Sequence, residues 1–196
     1  MIKKIIFDLD NTLIDWIEEY DYPLRDTLIK YNIDFNYSLL SKSIDEYDEI
    51  SKIYNSYDLM NFLNNKHNLG ITIDFINDWL KELGKQGKPN KGVVELLEYL
   101  HNKYELVVLT NWESNCQINR LKSAGIYKYF KNVYGGEIYK KPNEKAFLKA
   151  IEPYDPKECV MVGDNLYFDI EPANKLGIKT YMINKNKNII ELKEML

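Results

Sequence analysis

The chain has 196 residues, of which 45% are hydrophobic and 29% are charged, and its formal net charge is −4 at pH 7. This length suits one domain, or one domain with an inserted module, with enough apolar material for a sizeable core. No broad basic surface is available for nucleic acid, and no apolar run reaches membrane-spanning length, so we expect neither partner. Two cysteines, Cys116 and Cys159, are too few for a disulfide framework and predict a reduced, cytoplasmic protein.

The chain opens on a short strand that leads into a helical stretch. The apolar run Ile5-Ile6-Phe7 predicts a strand over residues 2–7, and a polar turn follows. From residue 15 to about residue 88, apolar side chains recur at helical spacing. The first helix of this stretch contains Trp16, Tyr20 and Leu24, and Pro23 is expected to kink it. The four predicted helices lie around residues 16–31, 37–54, 59–63 and 73–83.

From about residue 90, strand and helix patterns alternate. Apolar runs at 106–109 and 159–162 are typical of strands that are covered on both faces. Weaker patterns at 133–134 and 178–183 predict two further strands. Because strands that alternate with helices favour a parallel sheet, this part of the chain predicts an α/β fold.

These patterns divide the chain into two parts. Residues 1–14 and 89–196 are predicted to form a three-layer, parallel, Rossmann-like α/β core, and residues 15–88 form an all-helical insertion. The insertion leaves the core after the first strand and returns before the second. We therefore expect it to lie over the residues that follow the first strand.

Polar side chains follow the predicted strands at the edge where parallel sheets bind ligands. Carboxylates that converge there repel one another unless a cation lies among them, and Mg²⁺ accepts carboxylate oxygens and is commonly shared with phosphate. Together with a lysine and neutral hydrogen-bond donors, such a set suits the transfer of a phosphoryl group. One aspartate can attack phosphorus and another can move a proton. The residues concerned are Asp8, Asp10, Thr110, Asn111, Lys141, Asp164 and Asp169.

Four motifs in this order resemble those of the haloacid dehalogenase-like (HAD) hydrolases. They are DLDNT at 8–12, Thr110-Asn111, Lys141-Pro142 and GDNLYFD at 163–169. Each motif is weak alone, but four in order at predicted strand ends are specific. The resemblance implies a Mg²⁺-dependent phosphatase that acts on a small phosphorylated metabolite. It also implies that the helical insertion is a cap of the C1 type, which follows the first motif.

The resemblance implies a role for each residue of the first three motifs. Asp8 would be the nucleophile and a metal ligand. Asp10 would be the general acid and base, with its backbone carbonyl on the metal. Thr110 and Asn111 would hold the phosphate group, and Lys141 would pair with Asp8 and with the phosphoryl oxygens.

The fourth motif would complete the Mg²⁺ site. Asp164 is implied as a direct ligand, and Asp169 would support the metal directly or through water. The implied ligand set therefore comprises Asp8, Asp10, Asp164 and Asp169. The substrate and the oligomeric state stay open, because the predicted cap carries no motif that names a ligand.

Three other functions stay open. A sugar-phosphate phosphomutase would use the same residues and return the phosphoryl group to its substrate. A 2-haloacid dehalogenase would attack carbon through Asp8, but halide departure needs no proton donor, so Asp10 disfavours it. A non-catalytic binding protein would keep the site without turnover, which the complete set of charged residues disfavours.

The sequence also predicts where the three tryptophans lie and where one further helix forms. Trp16 and Trp79 lie on apolar helical stripes, so we expect them to pack in the core. Trp112 follows the second motif and is a candidate for the border of the pocket. The helix after the second strand is predicted from the apolar positions Ile118, Leu121 and Ala124.

Overall fold

The computed structural model describes residues 1–16, 21–184 and 188–196. The strands in the described residues are β1 (Lys4–Phe7), β2 (Glu105–Leu109), β3 (Asn132–Tyr134), β4 (Cys159–Gly163) and β5 (Lys179–Met182). They form one sheet in the spatial order β3-β2-β1-β4-β5, and every neighbouring pair is parallel. The predicted parallel α/β sheet is thereby confirmed.

Helices cover both faces of the sheet, which gives the core its three layers. Successive side chains of a strand point to opposite faces. Ile5 of β1 therefore joins an apolar cluster that contains Leu97, whereas Ile6 joins a second cluster that contains Phe147. The helices of the core are α5 (Val93–Leu100), α6 (Ser114–Ser123), α7 (Glu144–Ile151), α8 (Glu171–Lys175) and α9 (Leu192–Met195).

In the described residues, four helices between β1 and α5 form what we call the helical segment. Buried apolar side chains such as Leu28 and Phe75 pack these helices together. The two connections between the segment and the core run side by side, because the N–H of Asn90 donates to the carbonyl oxygen of Leu13 at 2.9 Å. The helices are α1 (Tyr22–Lys30), α2 (Tyr37–Ile50), α3 (Ser56–His67) and α4 (Ile73–Leu83).

The first helix begins later than the apolar spacing predicts. It starts at Tyr22, and Pro23 lies in its first turn, where a missing N–H costs no helical hydrogen bond. The kink expected at Pro23 was therefore wrong. Trp16 lies before the helix, and Tyr20 lies outside the described residues.

An asparagine cap marks the boundary between α2 and α3. α2 ends at Ile50 rather than near residue 54. The side chain of Asn55 then accepts hydrogen bonds from the N–H groups of Tyr57 and Asp58 at 2.9 and 3.1 Å, which starts α3. No helix in the described ranges is both long and apolar enough to cross a membrane.

Candidate active site

The carboxyl edge of the sheet brings together the polar residues that follow the strands. Asp8 follows β1, Thr110 follows β2 and Asp164 follows β4. The N–H of Asp8 donates to the carbonyl oxygen of Val162 at 2.8 Å, so the hydrogen-bonded ladder continues up to the first carboxylate. The position of Asp8 is therefore fixed by the sheet itself.

Asp10 lies in a tight turn directly after β1. The N–H groups of Leu13 and Ile14 both donate to the carbonyl oxygen of Leu9, at 2.8 and 3.0 Å. Asn11 has a φ of 58°, a left-handed conformation that asparagine adopts more readily than most residues. Because the chain reverses at once, Asp10 stays at the sheet edge.

Lys141 lies between two buried carboxylates. Its Nζ is 2.6 Å from Oδ1 of Asp8 and 2.5 Å from Oδ1 of Asp169, and only 3% of its side chain is exposed. Burial alone would lower the pKa of Lys141, but the charges of Asp169 and Asp8 outweigh burial and raise this pKa above its ordinary value. Lys141 therefore stays protonated and supplies a fixed positive charge.

Three aspartates form a cluster that fits a hard cation. Asp8, Asp164 and Asp169 offer carboxylate oxygens that all lie within 4.8 Å of one another. Burial raises the pKa of Asp8 to about 8; the Lys141 charge opposes this shift and the Asp169 charge adds to it. Burial and the Asp169 charge also raise the pKa of Asp164. A divalent cation with oxygen ligands would relieve this repulsion, so the donor set suits Mg²⁺.

Asp169 approaches the end of β4 because Gly163 has no side chain. A Cβ atom at Gly163 would lie 2.4 Å from Oδ2 of Asp169, closer than any such contact allows. Asp169 lies on the π-helical turn Leu166–Ile170, and its Oδ2 accepts a hydrogen bond from the N–H of Asn165 at 3.1 Å. The glycine and the turn together place this carboxylate beside Lys141.

Thr110 and Asn111 have different surroundings. The Oγ1 of Thr110 accepts a hydrogen bond from Gln117 at 2.9 Å, which leaves the hydroxyl hydrogen able to donate to a ligand. The Oδ1 of Asn111 accepts from the N–H of Lys141 at 2.8 Å, and its Nδ2 donates to the carbonyl oxygen of Lys141 at 3.1 Å. The Asn111 side chain therefore holds the backbone that carries Lys141.

Sequence reasoning misses two residues that contact Asp10. The Nη1 of Arg120 is 2.5 Å from Oδ1 of Asp10, and the Nε2 of Gln117 is 2.9 Å from Oδ2. Both side chains are fully buried, whereas Ile118, one of the apolar positions from which this helix was predicted, is only partly buried. The available signal was the i, i+3 spacing of two long polar side chains in the helix that follows the second motif.

A cavity of about 320 Å³ lies between the carboxyl edge of the sheet and the helical segment. All seven site residues that the motifs predict line this cavity, including Asn111. The helical segment and the residue just before its first helix add acidic, apolar and hydroxyl side chains to the lining. These are Asp21, Leu24, Ser41, Ile44, Asp45, Asp48 and Trp79.

The three tryptophans all line this cavity. Trp79 is 4% exposed and packs edge-to-face on Trp112 at 6.0 Å between ring centres, so it serves both the core and the pocket wall. Trp16 is 41% exposed, so the expectation that it packs in the core was wrong. Trp112 borders the pocket, as its place after the second motif indicated.

Comparisons with known proteins agree on one family. Residues 5–183 match the family model of the haloacid dehalogenase-like hydrolases. A glyceraldehyde 3-phosphate phosphatase of Pyrococcus abyssi is 30% identical over 95% of this chain and 83% of its own length. The pyrimidine 5'-nucleotidase PynA of Streptococcus pneumoniae is 28% identical over 93% of this chain and 84% of its own length.

The fold has close structural counterparts as well. The magnesium-bound HAD-hydrolase YfnB of Bacillus subtilis superposes with a TM-score of 0.72 at 20% identity, over 99% of this chain and 96% of its own. The match extends over the core and the helical segment alike. With the family model matched over nearly the whole length, the chain belongs to the haloacid dehalogenase-like hydrolase family.

Proposed function

We propose that this protein is a Mg²⁺-dependent phosphatase that hydrolyses a small phosphomonoester through an aspartyl-phosphate on Asp8. The observation that carries the proposal is the 2.6 Å pairing of Asp8 with Lys141 beside a cluster of carboxylates that suits a divalent cation. A carboxylate nucleophile, a fixed cation and metal ligands are the groups that phosphoryl transfer needs. The phosphatase and the nucleotidase among the relatives support the same chemistry.

In the first half-reaction, a carboxylate oxygen of Asp8 attacks phosphorus and the bond to the ester oxygen breaks. Asp10 donates its proton to that oxygen, so the product leaves as an alcohol. Lys141 and the hydroxyl of Thr110 bind the phosphoryl oxygens, while Asn111 keeps the Lys141 backbone in place.

In the second half-reaction, water attacks the phosphorus of the aspartyl-phosphate. Asp10, now ionised, accepts a proton from this water, and the bond between phosphorus and Asp8 breaks. Inorganic phosphate leaves and the Asp8 carboxylate is restored. Asp10 thus donates a proton in the first step and accepts one in the second, and its place beside Asp8 allows both.

Asp8 and Asp164 would hold Mg²⁺ through their carboxylates, Asp10 through its backbone carbonyl, and Asp169 directly or through water. When bound, the ion neutralises charge on the phosphoryl group and so lets an anionic carboxylate approach an anionic ester. Lys141 contributes a second positive charge to the same oxygens.

We propose that the helical segment acts as a cap, with residues 15–88 above a core of residues 1–14 and 89–196. Contacts between the helical segment and the core support this assignment. The Nζ of Lys140 is 2.7 Å from Oδ1 of Asp48 in α2, and the N–H of Tyr54 donates to the carbonyl oxygen of Gly136 at 2.8 Å. A cap in this position would exclude bulk water from the leaving group and supply the side chains that select the substrate.

The test is phosphate release from p-nitrophenyl phosphate and a panel of small phosphomonoesters. We expect release that requires Mg²⁺, stops in EDTA and is lost in Asp8→Asn. Asp74→Asn, which removes an exposed carboxylate of the helical segment, is the matched control and should keep full activity. Full activity in EDTA would remove Mg²⁺ from the proposal. Transfer between two positions of a sugar phosphate without release would indicate a phosphomutase instead.

A further inference from the structure

Arg120 contacts the proton donor and both connections of the helical segment with one side chain. Its Nη1 is 2.5 Å from Oδ1 of Asp10, and its Nε donates to the carbonyl oxygen of Gln86 at 3.2 Å. Its guanidinium carbon lies 5.1 Å from the centre of the Trp16 ring, in a cation–π contact. Trp16 lies where the chain leaves the core for the segment, and Gln86 lies where the chain returns.

The returning connection is docked closely on the helix that carries Arg120. A Cβ atom at Gly87 would lie 2.2 Å from the carbonyl oxygen of Arg120, so the two backbones meet without any side chain between them. The Oγ of Ser123 also donates to the carbonyl oxygen of Lys85 at 2.5 Å. A displacement of this connection would therefore disturb the backbone of α6 at Arg120.

Gln117 is a second residue of α6 that binds the Asp10 carboxylate. Its Oε1 accepts a hydrogen bond from Nη1 of Arg120 at 2.9 Å. Its Nε2 donates to Oδ2 of Asp10 at 2.9 Å and to Oγ1 of Thr110 at 2.9 Å. Both carboxylate oxygens of Asp10 thus have a donor from α6, and a rotation of this carboxylate must break at least one charge-assisted hydrogen bond.

We propose that Arg120 is a positioning residue that couples the orientation of the Asp10 carboxylate to the docking of the two connections of the helical segment. The proposal rests on the proposed function, because Asp10 matters here as the proton donor to the leaving group. With both connections docked, Arg120 holds Asp10 in one orientation. When they move, the guanidinium loses contacts to Trp16 and Gln86, and the orientation of Asp10 is released with it.

The first experiment measures kcat/KM of Arg120→Met against esters of increasing leaving-group pKa, from p-nitrophenyl phosphate to alkyl phosphates. This ratio reports the step in which the ester bond breaks, so it depends on proton donation only when the leaving group is poor. General acids contribute about 10²–10⁴ in rate, so we expect a loss of roughly 30-fold or more for alkyl phosphates and less than about threefold for p-nitrophenyl phosphate. Equal losses across the series would overturn the positioning role.

Arg120→Lys guards against a failure of the first variant to fold, because it keeps the cation and most of the buried stem. A lysine cannot donate to Asp10 and to Gln86 together with a planar fork, so the same dependence on the leaving group is expected, at smaller size. In the background of Asp10→Asn, neither substitution should add more than about a threefold loss, because residues that act as a unit are not additive. Additive losses would contradict action through Asp10.

A substitution in the returning connection tests the coupling between this connection and Asp10. Gly87→Ala should push the returning connection from α6 and reproduce the dependence on the leaving group, although neither Asp10 nor Arg120 is substituted. Gly70→Ala, whose added Cβ has no atom within 4 Å, is the matched control and should leave the whole series within about twofold of the unchanged chain. A Gly87→Ala series parallel to that of the unchanged chain would overturn the coupling.

The outcomes also separate this inference from the proposed function. If the unchanged chain releases no phosphate from any ester, the proposed function fails and this inference fails with it. If the unchanged chain is active in a manner that depends on Asp8, and the Arg120 variants lose activity equally for every leaving group, the inference alone fails.

Discussion

Among the site residues, Lys141 is the one whose substitution should destabilise the protein most. Two buried carboxylates depend on its charge. In Lys141→Met, Asp8 and Asp169 would face each other without a cation. Removal of one partner from a buried ion pair costs about 3–5 kcal/mol, so we expect a loss of that order in the free energy of unfolding without Mg²⁺. Urea unfolding measures it, and phosphatase activity should fall below detection.

The control for this variant is Lys149→Met. Lys149 pairs with Glu152 on the surface, where both side chains are more than half exposed. Such pairs contribute about 0–1 kcal/mol, so this change should leave stability and activity nearly unaltered. A Lys141→Met protein as stable as Lys149→Met would show that the buried carboxylates do not depend on the lysine.

Gly163 tests the metal site at the residue scale. In Gly163→Ala, the added Cβ would meet the Asp169 carboxylate at 2.4 Å and push it from its position. Displaced supporting groups typically cost 10–100-fold in metal affinity, so Mg²⁺ should bind at least about 10-fold more weakly. Calorimetric titration with Mg²⁺ measures this change.

Gly177→Ala separates metal binding from general stability. Gly177 has a φ of 79°, which an alanine adopts only with strain, but no atom lies within 4 Å of its added Cβ. This variant should be less stable and yet keep its Mg²⁺ affinity. Equal Mg²⁺ affinity in Gly163→Ala and Gly177→Ala would argue against Asp169 as part of the metal site.

At the scale of elements, Lys140 joins the core to α2. Its Nζ contacts Oδ1 of Asp48 at 2.7 Å and Oγ of Ser51 at 3.1 Å, and only 3% of the lysine is exposed. In Lys140→Met, we expect the amides at the end of α2 to exchange their hydrogens faster, while those of β1 keep their protection. Hydrogen exchange read by mass spectrometry checks this prediction.

A control variant tests whether the change in exchange at α2 is specific to Lys140. Lys145, which is exposed on α7, gives the control Lys145→Met and should leave the exchange of α2 unchanged. If exchange at the end of α2 were equal in both variants, Lys140 would have no part in holding the helical segment on the core.

The elements differ in how far the sequence predicts them. The continuous apolar runs of β2 and β4 specify strands covered on both faces, so their positions were predicted closely. The predicted start of α1 was wrong, because apolar spacing alone does not locate the end of a helix. Pro23 is a better signal, since proline favours the first turn of a helix. The helix α6 was predicted from its apolar positions, and Leu121 among them is buried. The burial of Gln117 and Arg120 was missed because they are buried through polar contacts, which hydropathy does not count.

The site residues also differ in how far the sequence predicts them. Asp8, Thr110, Lys141 and Asp164 could be placed from the sequence, because each follows a strand whose end the sheet brings to one edge. The support of Asp10 by α6 could not be predicted in this way. It depends on how the helix is rotated against the sheet, and that rotation is set by packing over the whole molecule.

At the scale of the whole molecule, the two edges of the sheet carry different charge networks. Opposite the site, Lys4 at the start of β1 is fully buried and pairs with Glu105 of β2 at 2.8 Å, and Lys131 reaches the same carboxyl at 2.6 Å. Burial alone would raise the pKa of Glu105, but the hydrogen bonds and charges of Lys131 and Lys4 lower it below its ordinary value. We expect this network to stabilise the fold, and it lies at the opposite end of the strands from the candidate site.

A lowered pKa makes this contribution depend on pH. The stabilisation is present above the ordinary glutamate pKa of about 4.3 and is lost as the pH falls through the lowered value. Glu105→Gln should therefore cost about 1–3 kcal/mol in the free energy of unfolding at pH 7, and the difference should shrink as the pH falls below about 4. Unfolding curves over this range measure it.

The surface pair of Glu95 and Lys193 supplies the comparison, because Glu95 is 71% exposed. Glu95→Gln should change the free energy of unfolding by no more than about 0.5 kcal/mol at any pH. A cost of Glu105→Gln that stayed constant from pH 7 to pH 3 would contradict an ionic origin for the stabilisation at this edge.

The most direct test of the whole account is a search for a phosphoryl group on Asp8. The protein would be mixed with Mg²⁺ and an active phosphomonoester, quenched in acid during turnover, digested and read by mass spectrometry. The account predicts a phosphorylated peptide that contains Asp8, is cleaved by hydroxylamine as an acyl phosphate is, and is absent from Asp8→Asn. Turnover by Asp8→Asn, or turnover of the unchanged chain without any such peptide, would contradict the nucleophile on which the mechanism depends.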